Sequence, residues 1–173
     1  VMPVCVVTTM DNPGFSTYLG IGGADVRMDV KKIDSSQSGA GGLDQAFARV
    51  KADPGVSRAV KMTVHRYDMA AAGRKGTVAL VESGDHTTFP VSYLRGKAPV
   101  AANEIALSSG QAKESGADVG DAVTLTVPRG GTGDGPSSPV SGQSADSRKL
   151  RVTGVYQDIT NGGKTAKTPM ETV

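Results

Sequence analysis

The residues of this chain best placed to do chemistry lie near its end, in VYQDITNGGKTAK, Val155 to Lys167. Gly163-Lys164-Thr165 matches the closing triplet of a phosphate-cradling loop, in which backbone N–H groups curl around a phosphate and a lysine supplies charge. The spacing excludes that chemistry. A first glycine belongs five positions before Gly163, and the chain has Asp158 there, whose carboxylate repels a phosphate. No apolar helix can follow either, because Thr168-Pro169 interrupts the chain. Two readings of the turn remain. Asn161, Gly162, Gly163 and Lys164 are candidates for weak binding of an anionic headgroup or a substrate carboxylate. The favoured reading is a hinge, with glycines supplying backbone geometry and Lys164 and Lys167 simply solvated.

Other reactive side chains lack partners at a working spacing. Ser109 and Lys113 suggest the serine–lysine pair of acyl enzymes, but that motif needs S-x-x-K, and here the two are four apart with no second motif following. Cys5 stands alone in an apolar run and reads as a small buried hydrophobe; a nucleophile would need a base beside it. His65-Arg66 and Asp85-His86 read as polar strand ends, and two isolated histidines do not make a metal site. No catalytic residue, cofactor-binding residue or metal ligand is assigned.

The elements that must position these residues are small. With 173 residues, no tryptophan and 38% apolar residues, the chain must build its core from Val, Ile, Leu, Ala and Met. Small β-rich lobes suit that composition better than one large α/β core. Net charge is only +2 with scattered basic residues, so a nucleic-acid surface is not expected. No apolar run approaches the roughly 18 residues that span a bilayer. A chain that opens on Val1 and stops on Val173 without capped ends reads as an excised piece.

Strands are expected at Val4 to Thr9, Ala24 to Val30, Val56 to Val64, with Val56, Val60, Met62 and Val64 inward, and Thr77 to Val81. Leu43, Ala46, Phe47 and Val50 fall at i, i+3, i+4 and i+7 and mark one apolar stripe of a helix. Further on, Thr87 to Val91 and Glu104 to Leu107 are short strand candidates. Ser108 caps a short helix that leaves through Gly116. Val123 to Val127 and Leu150 to Tyr156 alternate and form a long antiparallel pair, with Lys149, Arg151 and Thr153 outward. The Gly/Pro/Ser-rich stretch between them is expected to be a mobile tip, since it buries too little to offset its ordering entropy. The aromatic residues are too spread along the sequence for a stacking platform. The fold class is α+β, in two small lobes: a helix-on-sheet lobe over 1–83 and a β-rich lobe with one short helix over 84–158, its mobile loop at 128–147. Residues 159–173 return towards the first lobe.

Three segments resemble a known family: VVTTMDNPGFSTYLGIGGADVRMDV (Val6 to Val30), GDHTTFPVSYLRGKAPVAANEIALSSGQAKESGADVGDAVTLTV (Gly84 to Val127) and RVTGVYQDITNGGKTAK (Arg151 to Lys167). They are similar to the extracytoplasmic domain of FtsX/MacB-type ABC transporter permeases, the MacB-like periplasmic core domain, in a subgroup common in Gram-positive bacteria. The resemblance implies a membrane-proximal lobe carrying an inserted β-rich lobe, the first of them incomplete here. It implies a place on the extracytoplasmic face of the cell membrane and no chemistry of its own. Implied partners are a cognate cytoplasmic ABC ATPase, a second permease copy, and a peptide, lipid or antibiotic substrate. The alternative is a free-standing extracellular module that binds a peptide or lipid.

Overall fold

A computed structural model describes residues 42–128 and 145–172, with Gly23, Ala24 and Val26. The expected strand at Val4 to Thr9, most of Ala24 to Val30, and positions 129–144 of the expected loop lie outside these residues. In chain order the elements are α1 (Gly42–Ala52), β1 (Met62–Ala71), β2 (Thr77–Gly84), β3 (Tyr93–Gly96), β4 (Glu104–Ser108), α2 (Ser109–Ser115), β5 (Ala122–Pro128), β6 (Ala145–Tyr156) and β7 (Thr165–Thr168). Two 3-10 turns, Thr160–Gly163 and Met170–Thr172, flank β7. The α+β class holds.

The strands form one seven-stranded sheet in the order β3-β6-β4-β7-β2-β1-β5, and β5 pairs with β6 to close it. Six strands thus make a barrel, and β3 is a flap on the outside of the seam. Closure explains how a chain poor in large residues still forms a core, because the interior of a small barrel is filled by one set of alternating side chains. Tyr67, Met69 and Ala71 of β1, Ala79 and Val81 of β2, Ile105 and Leu107 of β4, Val123 and Leu125 of β5, and Ala166 of β7 meet there. The register between β4 and β6 slips between Ile105 and Ala106, so that Val152 and Gly154 are successive partners. That bulge re-phases β6, and Leu150, Val152 and Val155 all join the interior.

Alternation places the neighbours of these residues on the outer face. Over β4 and β6 that face is covered by the segment leading into β3: Val91 and Tyr93 pack on Ala106 and Tyr156. Tyr93 and Tyr156, distant in sequence, meet edge to face with ring centroids 6.0 Å apart. Under the same cover Lys167 is paired with Glu82 across the parallel β2–β7 ladder, and its ammonium lies 5.1 Å from the centre of the Tyr156 ring. Lys167 is therefore not a solvated hinge residue. A central strand is buried on both faces, whatever its composition.

Three more expectations change. The strand expected at Val56 to Val64 begins instead at Met62 and runs to Ala71, and Val64 faces outward. The alternation of Tyr67, Met69 and Ala71 sets its phase, and the valines before it belong to an irregular approach. Thr87 to Val91 is not a strand. The Asp85 carboxylate accepts hydrogen bonds from both hydroxyls and both backbone N–H groups of Thr87 and Thr88, which folds the segment into a turn. The threonine hydroxyls and the backbone N–H groups hold that carboxyl down, to about 2. Thr153, expected outward, is buried under β3. Within the sheet, β1 also pairs with β5 and β2 with β7.

Met62 pairs with Gly84, and Ser83 with Thr168, so β1 begins and β7 ends at the same end. The β1–β2 hairpin, α2 and the turn Thr160–Gly163 lie at the other. His86 closes the first end, its Nε2 lying 3.0 Å from the carbonyl oxygens of both Glu82 and Thr168. Two carbonyl partners require Nε2 to carry the proton and donate. Burial, and then the Lys167 charge, push the imidazole below its ordinary 6.5. The folded state thus favours neutral His86, while the unfolded chain takes up a proton below about 6.5. Stability present above that pH is lost on acidification, by at most about 1.4 kcal/mol by pH 5.5. Thermal melts of the native chain and His86→Gln at pH 7.5 and 5.5 check this: the variant should lack this part of the acid loss.

Candidate functional site

A groove of about 750 Å³ lies on the outside of the barrel, across β5, β1 and β2. Its lining mixes apolar Ala70, Val78 and Leu80 with polar Arg66, Asp68, Thr124 and Thr126. At the α2 end it is bounded by Glu114 and Lys164. These two are themselves an ion pair at 3.1 Å. Each groove residue on a strand is the outward partner of an interior one, so the groove is the outer surface of the same alternation that builds the core.

Lys164 is thus the sequence candidate that the structure brings to a cavity. The turn before it is held firmly. Asp158 is buried, and one carboxylate oxygen accepts from Thr160 N and Thr160 Oγ1, both at 2.6 Å. The other accepts from the Thr165 hydroxyl, which lies 2.9 Å from the Tyr156 hydroxyl. The groups that would meet a phosphate are therefore engaged by carboxylates: Thr165 by Asp158, Lys164 by Glu114. Gly162 and Gly163 have φ of 67° and 71°, a left-handed region that costs a side chain but not glycine.

Ser108 ties this turn to α2. Its hydroxyl caps the helix at Gln111 N (3.2 Å), donates to Gly163 O (2.5 Å) and accepts from Thr165 N (3.1 Å). At the other end the left-handed Gly116 returns its N–H to Ala112 O, so both expected caps are present. Ser108→Ala should cost about 2–3 kcal/mol, a cap together with newly orphaned buried groups. Chemical denaturation reads that loss. The turn lies at the opposite end of the barrel from the start of β1 and the end of β7.

Ser109 donates to Gln157 Oε1 at 3.0 Å, and Lys113 is exposed, which does not assemble an acyl-transfer pair. Among the described residues no group of histidine, cysteine, aspartate and glutamate could hold a metal ion, and no helix is long and apolar enough to cross a membrane. Sequence reasoning missed Arg66, Asp68 and Glu114. The signal for the first two was legible as the polar half of an alternation whose apolar half is Tyr67, Met69 and Ala71, once β1 is given its true extent.

No protein-family model and no curated protein matches the sequence. Solved structures do match. The periplasmic region of MacB from Actinobacillus actinomycetemcomitans aligns with 76% of this chain at 14% identity and a TM-score of 0.53. The chain spans 56% of the length of that region. The extracellular domain of the noncanonic ABC-type transporter YknZ from Gram-positive bacteria aligns with 74% of this chain and 62% of its own length, at 13% identity and a TM-score of 0.47. The first of these carries the conclusion: in fold, the chain is similar to the periplasmic region of MacB.

Proposed function

We propose that this chain is the extracytoplasmic domain of an ABC transporter permease subunit. It transmits motion driven by a cytoplasmic ATPase and contacts an exported substrate or a partner protein, and it performs no chemistry itself. The observation that carries the reading is the fold shared with the MacB periplasmic region over most of the chain. The order of the three resembling segments supports it. In this reading the barrel is the inserted lobe. It takes in residues 62–84, which patterning alone assigns to the first lobe, and α1 with the residues before it belongs to the membrane-proximal part.

The full-length gene product tests the proposal. A permease requires hydrophobic segments of about 20 residues beyond Val1 and Val173 and co-purification with an ATPase subunit. Their absence sinks the reading and favours a free-standing binding module. A second check uses the chain alone. Isothermal titration with MgATP should give no heat of binding, because the Gly163-Lys164-Thr165 turn is already occupied by its own carboxylates.

A further inference from the structure

We infer that Pro90 to Pro99, with β3 at its centre, is a strap that lifts off the barrel as a unit while the six-stranded closure stays intact. Its two ends are fixed independently of the sheet. Before it, the Asp85 carboxylate holds the turn at Thr87 and Thr88. Beyond it, a Glu104 carboxylate oxygen accepts from Val100 N (2.9 Å) and Ala101 N (3.0 Å). The chain between these anchors can therefore move without unwinding either. Pro90 and Pro99 at its margins have no backbone N–H to leave unpaired.

The strap is also a separate packing unit. Every strand of the barrel has a neighbour on each side. Among the described residues β3 pairs with β6 alone, and its register breaks between Tyr93 and Arg95. Its apolar contacts, Val91 and Tyr93 on Ala106 and Tyr156, form a cluster apart from the barrel interior. Leu94, Arg95 and Gly96 are exposed. The ion pair of Arg95 with Asp118, 3.0 Å long, is open to water on both sides and holds the strap only weakly. Units that share few buried contacts with the rest of a fold open separately from it.

Tyr93 sets the balance between the two positions. Its hydroxyl is buried, and among the described residues it has no hydrogen-bond partner. Burying a hydroxyl without a partner is unfavourable, and lifting returns it to water. The ring favours closure by packing on Tyr156, while the hydroxyl on the same side chain opposes it. Lifting uncovers the β6 edge at Thr153 to Tyr156, the Tyr156 ring and the Lys167–Glu82 pair. One closed barrel thus has two surfaces to offer, and a contact made only with the lifted form draws the strap off by its preference for that form.

Native-state hydrogen exchange of the 173-residue chain is the test. The Lys97 N–H, donated to Thr153 O at 2.9 Å, reports on the strap. The Leu80 N–H, donated to Lys164 O at 3.0 Å, reports on the barrel. After correction for intrinsic rates, Lys97 should exchange about 100-fold faster than Leu80, or more. Its rate should barely respond to dilute guanidinium, whereas Leu80 follows the full denaturant dependence of unfolding. Tyr93→Phe keeps the ring and removes the unpartnered hydroxyl, so it should slow Lys97 exchange about tenfold. Equal protection of the two amides, with one denaturant dependence, overturns the inference. So does a Tyr93→Phe chain in which Lys97 exchange is unchanged or faster. Neither result bears on flanking membrane segments, so failure here and failure of the permease reading are told apart.

Discussion

Lys167→Ala should destabilise the barrel by about 3–5 kcal/mol, because it leaves a buried carboxylate with no countercharge. The two side chains of the pair are only 8% (Lys167) and 16% (Glu82) exposed. Lys167 also sits over the Tyr156 ring, so its removal takes a cation–π contact and stem packing with it. In a chain of this size the loss corresponds to roughly 10 °C of melting temperature. The paired replacement Lys167→Met with Glu82→Leu is the informative control. It removes both charges and keeps most of the volume, so most of the stability should return. If Lys167→Ala melts like the native chain, the pair is not the buried tie described above.

The second large effect is expected at Gly154. A Cβ there would lie 2.3 Å from Lys97 O and 2.7 Å from the Tyr93 ring. Backbone on one side and a buried ring on the other leave no cheap adjustment, so Gly154→Ala should cost about 3 kcal/mol or more. The damage should be local. The β3 flap pairs with β6 through Gly96 and Gly154, and it should detach while the six-stranded closure survives. Near-UV circular dichroism would then lose the contribution of the Tyr93–Tyr156 pair, with far-UV signal largely kept. Burial holds both phenols well above their ordinary 10.0. Exposure of Tyr93 in the variant should therefore bring one tyrosine titration back towards 10.

These two positions also show where sequence reasoning reached its limit. Several local signals were legible: Ser108 and Gly116 bound α2, and the alternation of Val123–Val127 and Leu150–Tyr156 gave the long antiparallel pair, although the local Asp85 turn was read as a strand. What depends on non-local pairing was not. β7 is the polar tetrapeptide Thr165-Ala166-Lys167-Thr168, and it is a strand because β2 and β4 sequester it from both sides. Composition gives no hint of that, and a lysine in such a run reads as solvated. β1 was misplaced by a few residues because an apolar run (Val56 to Val64) competed with an alternating one (Tyr67 to Ala71). Only closure of the barrel decides between them. The groove inherits the same difficulty, since its polar lining includes the outward half of β1. Asp158 marks the Gly163-Lys164-Thr165 turn off from a phosphate loop by spacing alone, whereas its place at the far end of the barrel required the topology.

That topology has a mechanical consequence. Because β1 begins and β7 ends at one end of the barrel, a pull on the two connections draws on the sheet at its margin. The ladders then open bond by bond, like a zip, instead of resisting together in shear. Such a unit is a poor rope. A push or a twist delivered at the same two points meets the whole closed cylinder and swings its far end, with Lys164, Glu114 and the β1–β2 hairpin, as one body. Turning such a barrel by its base meets more resistance from the fold than stretching it from there.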